Sequence, residues 1–244
     1  MEGPERIRLD VPQRWAIWLS IRDDLRFLSH HDTMRAIERT AVRAGLPLAY
    51  TQGFNPHPIL SVVCPRPVGV ASCDDLLVAA LTGPADATAM LQRLNGAAPP
   101  GMRFLGAAPL AGKRPPQPRR IDHELSLDPP QARRVARRID DLQDQPTWPV
   151  ERPGRPSRRA RGKVTAGRTV NVRPLTADVM VEGTSLRWTQ LFVEGQTASC
   201  RDVLNLLGLD ERINSARAIR VGADYRLSDD QRGDFRTAQA PDKT

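Results

Sequence analysis

The sequence predicts an α+β chain of two β-α-β-β-α-β units in tandem, the second interrupted by a basic insertion. Three observations predict it. Short apolar runs bounded by Gly and Pro mark strands. Apolar residues spaced by three and four mark helices between them, and a Pro- and Arg-rich stretch at 111–120 divides the chain. A length of 244 residues suits one large domain or two small ones, and either buries a core without staples. The expected divisions are a flexible arm at 1–12, a first unit at 13–110, the linker, a second unit at 121–227 and a disordered tail at 228–244.

The first strand runs from Arg14 to Asp23, where Trp15, Ile17, Leu19 and Ile21 alternate while Ala16 and Trp18 keep the other face apolar. Ser29 caps the first helix, with Asp32 in the reciprocal position of a capping box. Met34, Ile37, Ala41 and Ala44 form its apolar stripe, and Arg35, Arg39 and Arg43 a separate basic one. Gly45 ends the helix and Pro47 prevents its resumption. Leu48–Thr51, a turn-rich loop at 52–58, strands at 59–64 and 75–82, a helix at 86–95 and a strand at 102–107 complete the unit. Beyond the linker the pattern repeats: a strand at 123–127, a helix at 130–142, a second strand at 147–151, then the insertion at about 152–173. A strand at 186–194, a helix opened by Ser199 or Cys200 and a strand at 218–225 close it. This is the ferredoxin-like, split βαβ order.

The three cysteines, Cys64, Cys73 and Cys200, form no CxxC and no disulfide framework, which suits a reducing compartment. No apolar run approaches the ~20 residues of a membrane span, and Met1 to Pro12 is polar, so a cytoplasmic protein without membrane contact is expected. Of 36 basic residues only Lys113, Lys163 and Lys243 are lysines. The net charge is +8. The acid-free stretch Arg152, Arg155, Arg158, Arg159, Arg161, Lys163, Arg168 and Arg173 equals it alone. A localised basic segment points to a polyanion such as RNA, against the alternative of a solvated loop.

Chemistry-bearing residues gather in Phe27-Leu28-Ser29-His30-His31-Asp32 and in Tyr50-Thr51-Gln52-Gly53-Phe54-Asn55-Pro56-His57-Pro58. Gly53, Pro56 and Pro58 make the second a rigid loop that aims His57 and offers Phe54 for stacking. If the loop reaches the start of the first helix, His30 and His57 form an acid–base pair suited to metal-free RNA cleavage. Otherwise His30 is a helix-start residue and His57 a loop residue. Adjacent His30 and His31 diverge by about 100° on a helix, so no metal is expected. Walker A, GxGxxG, GxSxG and HExxH sequences are absent, and no cofactor is expected.

FLSHHD, the helix with Glu38-Arg39 and Arg43-Ala44-Gly45-Leu46-Pro47, and TQGFNPHP resemble the radical SAM-linked protein family, a bacterial domain of unknown function. The run Pro65-Arg66-Pro67-Val68-Gly69-Val70-Ala71-Ser72 looks like its continuation, and Asn171-Val172-Arg173-Pro174 extends the likeness weakly. His31 departs from the apolar residue usual there, and Cys73-Asp74-Asp75 from a more acidic-start pattern. The resemblance implies a bacterial protein that works beside a radical SAM enzyme. This chain lacks the Cx3Cx2C cluster loop, so it would not itself cleave S-adenosylmethionine. Three functions follow as expectations: an RNA-binding accessory presenting tRNA or rRNA to that enzyme, a metal-independent endoribonuclease similar to RAMP-type CRISPR repeat-processing enzymes, and a protein-interaction scaffold. Ser29, Asp32, Gly45, Gln52, Gly53, Asn55 and Pro56 are the motif positions that would shape the site.

Overall fold

The computed structural model describes residues 12–112, 114–154 and 166–226. The N-terminal arm, the basic residues Arg155, Arg158, Arg159, Arg161 and Lys163, and the C-terminal tail lie outside them. The fold is mixed α+β, with five helices and a large, mostly antiparallel sheet among these residues.

In the first half, β1 (Gln13–Ile21) leads through a 3-10 turn to α1 (His30–Arg43). Next come β2 (Leu60–Val62), β3 (Ala71–Leu81), α2 (Ala87–Ala97) and β4 (Met102–Pro109). Ser29 caps α1 by accepting from the Asp32 amide, while Asp32 accepts from the Ser29 hydroxyl rather than from its backbone. At the other end Gly45 takes φ +63°, and the Gly45 and Leu46 amides donate to Val42 and Ala41 carbonyls. Those two bonds form a Schellman stop, which a Cβ at position 45 would strain. The strands order as β4-β1-β3-β2. Ile17, Leu19, Ile21, Leu77 and Leu81 pack under Ile37, Met90 and Leu94 of the helices. The opposite sheet face buries Trp18, Leu76 and Val78, and Tyr225 packs against them.

The second half comprises β5 (Gln117–Ser126), α3 (Pro129–Gln143), β6 (Pro149–Arg152), β7 (Arg168–Asn171), β8 (Thr176–Glu182) and β9 (Ser185–Val193). β10 (Gln196–Thr197), α4 (Cys200–Leu206), α5 (Glu211–Ser215) and β11 (Ala218–Arg226) complete it. Its main strands order as β11-β5-β9-β8. Two expectations need correction. β5 takes in Gln117–Arg120, so the linker ends earlier: pairing with β11 draws Pro118 opposite Tyr225 at a register shift. The strand near Thr147–Glu151 is not in the main sheet. β6 pairs with β7 in a separate two-stranded ribbon, and β8 takes the place beside β9. A register shift between Ala177 and Met180, with Asp178 at φ +51°, breaks the alternation that would have announced β8.

The halves join where β11 runs parallel to β3 through Ile219↔Ala71 and Arg220↔Ser72. Beside this seam lies a buried charge cluster. Arg220 donates to Asp75 Oδ1 and to the Cys64 carbonyl, both at 2.8 Å, and the Ser72 hydroxyl donates to the same carboxylate. Arg66 Nε stands 3.8 Å from Asp75 Oδ2, and the two terminal nitrogens of its guanidinium donate to the Leu25, Arg26 and Val70 carbonyls. Arg220 and Asp75 are each 2 % exposed. One carboxylate from the first half therefore serves guanidinium groups from both.

Candidate nucleic-acid interface

The two expected histidines stand at opposite ends of the first half. His30 opens α1 beyond Ile21, which pairs with Ser72. The loop carrying His57 is tied to the far end of β3 through Leu48↔Leu81 and the Ala49 amide on the Ala80 carbonyl. The length of β1, about 26 Å at roughly 3.3 Å per residue, separates those ends. Both side chains are exposed. Helix α1 has to descend the whole sheet before the chain reaches the loop, which is why they do not converge. Among the described residues no group of His, Cys, Asp and Glu is placed to hold a metal ion.

The loop itself is a closed lobe. Tyr50 bridges Pro58, the Thr51 amide donates to the His57 carbonyl, and the His57 amide donates to the Thr51 hydroxyl. Gly53 turns its tip at φ +139°. Phe54 projects fully into solvent, with Gln52, Asn55 and Pro56 exposed around it. From Ala44 to Pro65 the chain carries no Asp, Glu, Lys or Arg. This lobe thus offers an apolar prong without charge.

The predicted arginines divide by what they touch. Arg35 lies 3.9 Å from Asp32, and Arg43 donates to the Ala97 carbonyl, tying α1 to the end of α2. Arg39 is exposed without a hydrogen bond or ion pair among the described residues. Arg152 is engaged internally: its fork holds Asp202 at 2.7 and 3.2 Å and the Thr197 carbonyl at 2.8 Å. Arg173 donates to the Gln145 and Gln143 carbonyls at the end of α3 and lies over the Trp148 ring at 5.9 Å. Arg168, opposite Arg152 on the ribbon, is exposed.

Helix α3 adds residues that the expected list omits. Its buried stripe is Ala132, Val135, Ile139 and Leu142, and its solvent face carries Arg133, Arg134, Arg137 and Arg138. Together with Pro130 and Asp141 these four line an open groove of about 460 Å3. Arg134 and Arg138 donate to the Gly208 and Leu206 carbonyls at the end of α4. Arg133 and Arg137, one turn apart, have no ion pair or hydrogen bond among the described residues. Asp128 caps the start of α3 as the helix dipole favours, while Asp140 and Asp141 crowd its last turn. The paired spacing Arg133-Arg134 and Arg137-Arg138 was visible in the sequence but overshadowed by the denser run at 152–173.

Two cysteines and one histidine elsewhere in the fold are poor reagents. Burial raises the Cys64 thiol and pushes that of Cys200 up to about 12. His123 lies parallel to Trp188 with centroids 4.9 Å apart, and burial, then the charge of Arg220, pushes it down to about 3. No helix of the described residues is long and apolar enough to cross a membrane. A search of curated proteins finds no match to this chain. A family model, described as an uncharacterized protein conserved in bacteria (DUF2344), matches residues 14–202, spanning FLSHHD, the lobe, α3 and the ribbon. The chain belongs to this bacterial family.

Proposed function

We propose that the protein is a cytoplasmic RNA-binding accessory that presents tRNA or rRNA to a radical SAM partner. The observation that carries the RNA half is α3, which holds Arg133 and Arg137 in solvent without a partner among the described residues. An anion is the missing partner for that arrangement, and a row of phosphates supplies it. The choice of RNA and of a radical SAM enzyme rests on the motif resemblance. The uncharged Phe54 lobe suits a protein partner better than a phosphate backbone, which supports a module with two separate surfaces. We further take each half as a ferredoxin-like unit. The orders β4-β1-β3-β2 and β11-β5-β9-β8 support that reading. The distance between His30 and His57 weighs against the endoribonuclease alternative.

Filter binding of total tRNA and rRNA fragments across a salt series tests the proposal. Affinity is expected to fall with a log–log slope of about −0.7 per single-stranded phosphate contacted. Arg133→Glu/Arg137→Glu should flatten that slope by about 1.4, two contacts' worth, while Arg35→Glu/Arg39→Glu changes it less. Absence of binding at low salt removes the proposal. Discrete EDTA-resistant cleavage on a denaturing gel would restore the nuclease in its place.

A further inference from the structure

Beside the arginine groove lies a second, different concavity. It measures about 260 Å3 and is walled by Ile139, Leu142, Trp148, Leu206 and Leu207, with Ala177 and Val179 of β8 across from them. Gln143 and Asp178 also line it, the Asp178 carboxylate being held by the Thr189 hydroxyl at 3.1 Å and by Arg120 at 3.5 Å. Trp148 is fixed, because its Nε1 donates to the Leu142 carbonyl at 2.8 Å and Arg173 lies over its ring. The cavity is smaller than the ~300–1,000 Å3 of sites for drug-sized ligands, so it suits one planar ring system rather than a whole nucleotide.

Its position gives the apolar walls their meaning. Ile139, Leu142 and Gln143 interleave along α3 with Arg138 and Asp141 of the groove. Arg138 Nε bonds the carbonyl of Leu206, whose side chain lines the cavity, and Arg173 bonds the carbonyl of Gln143. Guanidinium groups thus stand on two sides of an apolar slot. That layout matches a nucleic-acid strand, in which a charged backbone carries a flat apolar base with hydrogen-bonding edges.

We propose that this cavity is a nucleobase pocket: single-stranded RNA lays its phosphates along the α3 arginines and inserts one unstacked base beside Trp148. Gln143 addresses the edge of that base, and Leu206 and Leu207 cover its face. The inference rests on the RNA-binding reading and deepens it, from phosphate contact to recognition of an unpaired base.

Three of the four tryptophans, Trp15, Trp18 and Trp188, are buried at 4, 7 and 1 % exposure, so a ligand-induced change in emission reports Trp148. The test titrates the full chain with a short oligouridylate and with the abasic ribose-phosphate oligomer of equal length. The oligouridylate is expected to bind about ten-fold tighter and to change the emission, whereas the abasic oligomer binds without doing so. Ala177→Met, which fills the slot from β8, should abolish the ten-fold advantage and leave abasic binding intact. Equal affinities, or an advantage that persists in Ala177→Met, overturn the base pocket while the phosphate reading stands. Failure of both oligomers to bind at low salt overturns the RNA reading itself.

Discussion

The two halves of the molecule share a strand order and differ in what their longest helix turns to solvent. Helix α1 buries Ile37 and Ala41, sets Arg35 near Asp32 and uses Arg43 to grip the end of α2. Helix α3 buries Val135 and Ile139 and leaves Arg133 and Arg137 unmatched among the described residues. The bias extends beyond the helices. Residues 13–110 carry nine basic side chains against seven acids, and residues 111–226 carry 22 against 14. Backbone order is set by apolar periodicity and burial, which both halves satisfy. Surface charge is free of that constraint, so it records what each half meets.

The sharpest way to break the comparison is to cut the bond between the halves. Asp75→Asn leaves Arg220 and Arg66 buried without a carboxylate and should cost about 3–5 kcal/mol in urea unfolding. A loss below about 1 kcal/mol would mean the halves do not depend on this charge. Next in size is a pH effect confined to the second half. His123 is held neutral in the fold down to about pH 3, while the unfolded chain takes up its proton near pH 6.5. The unfolded state therefore binds more protons between these values, and stability is lost as pH falls below about 6.5. From pH 7 to pH 5 this amounts to about 2 kcal/mol. His123→Phe, which keeps a ring against Trp188 but cannot titrate, should lose correspondingly less over the same interval. Equal losses in both proteins would show that His123 does not set the acid limb.

The smallest effect compares the starts of the two long helices. Asp128 and Gln131 form a full capping box on α3, whereas Ser29 caps α1 without the reciprocal backbone bond. Ser29→Ala and Asp128→Ala should each lower the thermal midpoint through about 1 kcal/mol of lost capping. The second loss is the larger, because the Asp128 charge also meets the helix dipole. The reverse ranking would show that the Ser29–Asp32 contact does more than cap.

Local chemistry made much of this fold legible. Ser29, Ser199 and Gly45 mark helix boundaries through bonds made within a few residues, and the alternation at Trp15–Ile21 and Leu186–Trp188 marks strands buried on a core face. What stayed hidden depends on distant partners. Arg66, Asp75 and Arg220 are ordinary charges in sequence and become a buried cluster only when β11 reaches β3. β8 was masked by the bulge at Asp178, and Gln117–Arg120 by a composition that reads as linker until β11 pairs with it. At the site, the turn at Gly53 was legible in the glycine itself. The separation of His30 from His57 required the direction of β2, and the internal use of Arg152 required Asp202, 50 residues on.

The seam strand carries a consequence for how the chain is made. β11 pairs with β5 along most of its length and with β3 at Ala71 and Ser72, and it is the last element of the described chain. A ribosome delivers the first half complete, with its own sheet and helices, while β5 waits for its neighbour through roughly ninety residues of further synthesis. During that interval Asp75 faces the seam without Arg220, and the open edge of β5 is a surface that a chaperone or another nascent chain can pair with. Synthesis speed through 127–217 thus sets how long the molecule stays vulnerable, and a stop codon placed before Ala218 leaves the second half without the strand that closes it.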